Sequence, residues 1–330
     1  MRRYIALAMI LAACKSPAAP PTSGASTQAP AHPPADMSHG EAPIGLDNTP
    51  APVDATAPAR STGHHHKIRL EMRHARIVLT DGVPFDAWTF DGQLPGPVLR
   101  VTVGDTVDFT LVNKAHIPHS MDFHAAQIAP SRVYVNVNPG DSLHYRWVAR
   151  LPGAFMYHCG TAPVALHIAN GMYGAIIVDP VRPRPAAREY VLVQSEFYTK
   201  SAGSKTDSAL MVVDWPELLS LAPDHVVFNG RAAQYATHPL PARVGELTRI
   251  YLVNAGPNRT SAFHVVGGIF ERVFQDARST PTLEGVQTVD VPVGGGAIFE
   301  VRLVEPGDYP FVSHAFADAT KGAVGILKVE

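Results

Sequence analysis

Residues 157 to 172 bring together a thiol, two imidazoles and a thioether. His167 follows Cys159 by eight positions and Met172 by thirteen, in a loop bounded by Gly171 and Gly174. A thiolate, two imidazoles and a weak axial thioether are the donors of a blue copper electron-transfer centre. The loop supplies Cys159, His167 and Met172, and His119 is the candidate for the fourth place. His158 directly precedes the thiol. Successive side chains on a strand alternate faces, so the His158 ring is expected to point away from the Cys159 sulfur. One peptide unit then joins two metal sites, an arrangement suited to passing an electron between coppers.

A second cluster reads His119-Ser120-Met121-Asp122-Phe123-His124. With His119 assigned to the first centre, His124 and His158 begin another. Three neutral imidazoles with one open position suit a catalytic copper, because substrate needs the vacancy. His314 is the candidate third imidazole. Asp122 lies between the two ligands in sequence and is needed by neither, so it is a candidate proton carrier; His264 is the second. The bland alternatives are a small buried thiol and locally hydrogen-bonded histidines. Spacing argues against them for these residues. His74, His116, His144, His225 and His238 are read as solvated or locally hydrogen-bonded side chains.

These residues need rigid elements to hold them. From Ile68 onward the chain shows short alternating segments, such as Val107-Asp108-Phe109-Thr110-Leu111, bounded by Gly, Pro, Asn and Asp. That texture predicts an all-β protein built from sandwiches. The body also repeats itself. Val103-Gly104-Asp105 is echoed by Val244-Gly245-Glu246, and Pro152-Gly153 leading to Tyr157-His158-Cys159 by Pro306-Gly307 leading to Val312-Ser313-His314. Two tandem β-sandwich domains are expected, at 67–180 and 181–330, split at the Pro-rich run from Pro180 to Pro185. The copies are unequal. Ala315 stands where the first copy has Cys159, so the second domain lacks the thiolate and keeps His314 and His264.

The 330 residues carry a formal net charge of -2, with no basic block pointing to nucleic acid and no acidic tail pointing to a cationic partner. Arg2, Arg3 and the apolar run from Ile5 to Ala13 are too short for a membrane span and read as an export signal over residues 1–14. Leu11-Ala12-Ala13-Cys14 resembles a bacterial lipobox, which makes Cys14 the expected lipidation site. Lys15 after it favours the outer membrane, facing the periplasm or cell surface. With Cys14 lipidated, Cys159 has no disulfide partner. Residues 15–66 are rich in Pro, Ala, Ser and Thr and are expected to form a disordered tether, with His64-His65-His66 as part of a solvated linker.

The motifs His119-Ser-Met-Asp122-Phe-His124, Tyr157-His-Cys159, Ala162-Pro-Val-Ala-Leu-His167-Ile-Ala-Asn-Gly-Met172, Glu196-Phe-Tyr-Thr-Lys200, Val227-Phe-Asn-Gly230 and Ser261-Ala-Phe-His264 resemble the copper-containing nitrite reductases, especially their outer-membrane lipoprotein branch. The resemblance runs from about residue 68 to the C-terminus. It implies cupredoxin-type Greek-key domains and two coppers per chain. Type 1 copper would lie on His119, Cys159, His167 and Met172. Type 2 copper would lie on His124, His158 and the partner subunit's His314, in a homotrimer. Asp122 and His264 take the proton-relay positions, Thr288 bonds the relay histidine, and Val266 sits over the open copper face. Nitrite is the implied substrate, and a c-type cytochrome or small cupredoxin the implied donor. Ala125 to Ser131 departs from the Gly-rich stretch usual after His124, and residues 270–288 follow the family loosely. Two rivals remain at this point. A multicopper oxidase would need His-X-His pairs and a His-Cys-His core, which this chain lacks. A non-enzymatic electron carrier or copper buffer would leave His124, His158 and His314 unexplained.

Overall fold

The computed structural model describes residues 51–330. Cys14, the export signal and most of the expected tether lie outside them. The described chain folds into four sheets. A six-stranded sheet runs, edge to edge, through Thr199–Ser201, Met211–Val213, Val83–Phe90, His65–Thr80, Thr106–Asn113 and Ser142–Val148. A four-stranded sheet of Gly96–Thr102, Tyr173–Asp179, Gly153–His158 and Asp122–Phe123 completes the first sandwich. The second pairs a six-stranded sheet, from His225–Phe228 to Leu283–Val286, with a five-stranded one, from His238–Ala242 to Thr288–Val291.

The sequence repeat reappears as a repeat of pairing. His65–Thr80 runs parallel to Thr106–Asn113, which is antiparallel to Ser142–Val148. In the second sandwich Arg188–Phe197 runs parallel to Leu247–Gly256, which is antiparallel to Gly296–Arg302. Gly153–His158 and Gly307–Ser313 occupy equivalent places, each antiparallel to the last strand of its copy. His158 and His314 therefore sit at the same corner of two similar frames.

Burial follows the pattern of each strand. Thr106–Asn113 alternates half-buried and buried along its length, as a strand with one wet face must. Tyr173–Asp179 is buried throughout, because its sheet also faces the second domain. The approach there is close: a Cβ on Gly296 would stand 2.1 Å from the Ala154 carbonyl oxygen, so only glycine fits. The second core gathers Phe228, Phe263, Phe270, Phe299 and Phe311, each at most 1% exposed. Burying each stabilises the fold by about 1.5–3 kcal/mol.

Two sequence expectations need correction. The tether ends before residue 66. Ala55 is buried, Val191 N–H donates to its carbonyl at 2.7 Å, and Val53 N–H donates to Gln234 Oε1 at 2.8 Å. Small side chains let this segment lie close against the sheet, a use that the composition of a loose linker also permits. His64 and His66 are likewise engaged, with Nδ1 and Nε2 at 3.0 and 2.7 Å from the two oxygens of buried Asp105. The domain division also blurs: Met211–Val213 lies beyond residue 181 in sequence yet pairs with Val83–Phe90, through Met211 and Phe85.

Candidate copper centres

Strand pairing builds the first donor set. The Gly153–His158 strand delivers Cys159 at its end, where Cys159 N–H donates to Met172 O at 3.0 Å and Met172 N–H to His167 O at 3.2 Å. These bonds close the loop around its ligands, with His167 carried by the short helix Val164–Ala169. His119 enters from the other side, pinned to Val137 by two backbone bonds of 2.7 and 3.2 Å. His119 Nδ1 and His167 Nδ1 stand 3.0 Å apart, and Cys159 Sγ lies 3.3 Å from His167 Nδ1 and 3.8 Å from His119 Nδ1. All three residues are buried, as is Met172.

Burial sets the protonation of this cluster. It pushes His119 well below the usual imidazole range and, with the neighbouring His74, takes His167 down to about 4. Both rings are thus neutral near pH 7. Burial raises the Cys159 thiol, although N–H groups of Thr161 and Ser120 pull it back. Two ring nitrogens and one sulfur converging in a buried site suit a soft metal cation that displaces the thiol proton.

The second set follows from strand geometry. Asp122 pairs directly with His158, and His124 lies two residues beyond Asp122. Opposite and i+2 positions share a face, so these three side chains meet while Phe123 and Cys159 turn to the other side. His158 Nδ1 donates to the Cys159 carbonyl at 2.8 Å, and His124 Nδ1 to the Gly294 carbonyl at 3.0 Å. These acceptors fix both tautomers and leave the Nε2 lone pairs facing each other at 3.1 Å. Asp122 Oδ2 lies 3.8 Å from His158 Nε2 and 4.0 Å from His124 Nε2. Burial lowers the His158 imidazole, with the Cys159 carbonyl working against it. Ring nitrogens already turned toward one point fit a copper ion.

The remaining candidates form a third group. His264 and His314 have ring centroids 5.2 Å apart, on diagonal positions of neighbouring strands. His264 Nδ1 is 2.7 Å from the Gln287 carbonyl and 3.3 Å from Thr288 Oγ1, leaving Nε2 for other work. His314 is exposed, with the Phe316 ring at 4.7 Å. Val266, Ile269 and Phe316 are 44%, 54% and 63% exposed. Among the described residues of one chain, the metal-holding groups are His119, Cys159 and His167, and Asp122, His124 and His158; His314 joins neither.

Sequence reasoning missed the wall of the first centre. Trp88 stands 4.8 Å from the His167 ring and 5.6 Å from His119. His74 stacks on Trp88 at 5.5 Å and lies 6.1 Å from His119, with His116 6.2 Å further out. His74 is therefore part of the wall of this centre, while His116 is exposed at its outer edge. The Asp81-Gly82 turn, a hairpin signal, was the available clue: it folds the flanking strands so that His74 pairs with Trp88.

Comparison with known proteins agrees with this geometry. The multicopper oxidase family profile matches residues 71–183. The copper-containing nitrite reductase of Neisseria meningitidis serogroup B is 39% identical over 299 residues, covering 88% of this chain and 76% of the relative. The chain belongs to the copper-containing nitrite reductase family. Among solved structures, the copper nitrite reductase of Nitrosomonas europaea superposes with a TM-score of 0.74 at 36% identity, covering 81% of this chain and 94% of that one. A multicopper oxidase structure superposes with a TM-score of 0.71 at 25% identity, covering 84% and 94%. Within the nitrite reductase family, the donor sets described here are the residues available to hold its copper.

Proposed function

We propose that this chain reduces nitrite to nitric oxide and water, consuming one electron and two protons, as a homotrimer. The observation that carries the reading is the adjacency of Cys159 and His158, which places two donor sets on opposite faces of one strand end. When bound, copper at His119, Cys159, His167 and Met172 would accept an electron from a c-type cytochrome or small cupredoxin, and copper at His124, His158 and the partner subunit's His314 would offer nitrite an open position. The chain's own residues do the rest. The peptide joining His158 to Cys159, reinforced by the bond from His158 Nδ1 to the Cys159 carbonyl, connects the two sites covalently. Asp122 faces both Nε2 atoms and is placed to hold a proton over the open position. His264, with Nδ1 tied to the Gln287 carbonyl and Thr288 alongside, presents Nε2 as the second proton carrier. Val266 caps the same face.

The exposed His314, with the exposed Phe316 ring against it at 4.7 Å, and the exposed apolar Val266 and Ile269 of the same domain support the trimer. An exposed histidine beside exposed apolar side chains, outside both donor clusters of its own chain, is what a shared site at a subunit interface needs. The test is copper-loaded protein with reduced mediator and nitrite at a nitric oxide electrode. Nitric oxide formation with two coppers per chain is expected. Absence of nitric oxide, or four coppers per chain, would favour an electron carrier or an oxygen-reducing oxidase.

The N-terminal sequence supports export and lipid attachment at Cys14, which would hold the enzyme at the outer membrane facing the periplasm or cell surface. Mass spectrometry of membrane-extracted protein would show a diacylglyceryl-modified Cys14, and Cys14→Ser would release soluble enzyme. Unmodified Cys14 in mature protein would rule the anchor out.

A further inference from the structure

Tyr134 lies three residues beyond Ala125–Ser131, the segment after His124 that departs from the family pattern. It ends the helical turn Pro130–Val133, donating its N–H to the Pro130 carbonyl at 2.8 Å. Two residues on, Asn136 Oδ1 accepts from Thr161 Oγ1 at 2.9 Å, which ties the segment to the loop that follows Cys159. Between these anchors the phenol rests on Gly160. A Cβ built there would stand 1.6 Å from both Cζ and Oη of Tyr134 and 1.8 Å from Cε2. Gly160 has no left-handed backbone angle, so space for the ring, rather than conformation, requires glycine. The ring is half-buried, as is Asp122. Burial raises the Tyr134 phenol, and the charge on Asp122 adds to the effect ahead of that of Cys159. Gly160 lies two residues beyond His158, which pairs with Asp122, and Gly160 N–H donates to Ser120 Oγ at 3.0 Å, two residues before Asp122; the ring on Gly160 therefore sits along the same strand edge as the carboxylate that faces His124 Nε2 and His158 Nε2.

We propose that Tyr134 is a specificity-determining residue: its ring, seated on Gly160, narrows the approach to the open face beside Asp122, passing a triatomic anion and excluding a bulkier carboxylate. The inference rests on the nitrite reading for the identity of the anion admitted, and on the Tyr134–Gly160 contact for the constriction. Gly160 and Tyr134 form a matched pair, because a side chain at 160 and the ring cannot occupy the same volume.

The test titrates copper-loaded trimer with azide and, separately, with benzoate, reading the electron paramagnetic resonance spectrum of the colourless copper. Wild type is expected to respond to azide and not to benzoate. Tyr134→Ala should respond to benzoate at concentrations at least about tenfold lower, a change of about 1.4 kcal/mol in binding, with the blue absorption band unchanged. Tyr134→Phe keeps the ring and should exclude benzoate as wild type does. Gly160→Ala, which expels the ring, should admit it as Tyr134→Ala does, and provides a second route should that variant fold poorly. Equal benzoate binding in wild type and the alanine variants would overturn the proposal, as would a Phe variant as open as the Ala one. The spectroscopic readout separates this inference from the parent reading. A wild-type protein that selects azide over benzoate but makes no nitric oxide retains the constriction and loses nitrite as the substrate.

Discussion

Cys159 and His158 face opposite ways, each into a different donor cluster, and substitution should separate the two. Cys159→Ala is expected to abolish the blue absorption and donor-driven nitrite reduction while the second copper stays bound; full turnover in that variant would exclude electron transfer through this peptide. Asp122→Asn keeps the shape of the side chain and removes its proton. Loss of a positioned acid–base group costs about 10²–10⁴ in rate, so kcat should fall within that range with the blue band intact. The convergence of His119, Cys159 and His167, and of His124 and His158, was legible in the sequence because ligand chemistry depends on residue type and on strand alternation. The wall was not. Trp88 and His74 reach the first centre only through hairpin pairing, and the Tyr134 contact depends on the path of a loop, which local pattern does not encode.

Single strands and straps depend on buried charge. Asp105 accepts hydrogen bonds from Thr102 N–H, His66 and His64; burial opposes its charge, but these bonds outweigh it and hold the carboxyl below its ordinary value of 3.8. A carboxyl depressed in the folded state contributes stability above its unfolded value, and that contribution is lost as pH falls through the folded one. Asp105→Asn should therefore lower stability by about 1–3 kcal/mol near neutral pH. The gap to wild type should close as pH drops below 3.8, as denaturant unfolding across pH would show. The link from the 51–66 segment to the body escaped sequence reading for a plain reason: Ala, Pro and Ser describe a free linker and a close-lying strap equally well. The strands were easier to read, since Thr106–Asn113 and its neighbours show the period of the pleat.

At the scale of the whole molecule, the two sandwiches are joined by an ion network. Arg100 binds Asp179 at 2.8 Å and Glu189 at 2.7 Å, and Arg249 binds Glu189 and Glu300, each at 2.6 Å. Without Arg249, Glu189 keeps Arg100 and Glu300 keeps Arg272 at 2.6 Å, so Arg249→Met removes charge-assisted hydrogen bonds without stranding a buried charge and should cost about 1–3 kcal/mol, seen as a lowered thermal midpoint. The internal repeat revealed this architecture in the sequence, and its unequal histidines pointed to a site divided between copies. One chain leaves His314 apart from His124 and His158, so a complete three-histidine site requires assembly. Subunit complementation tests it most directly. His158→Ala and His314→Ala are each expected to be inactive alone. Co-assembled at equal ratio, they should recover about a quarter of wild-type nitrite reduction, because random assortment joins an intact His124–His158 pair to an intact partner His314 at about one interface in four. Mixed assemblies that stay as inactive as either parent would contradict a site shared between subunits.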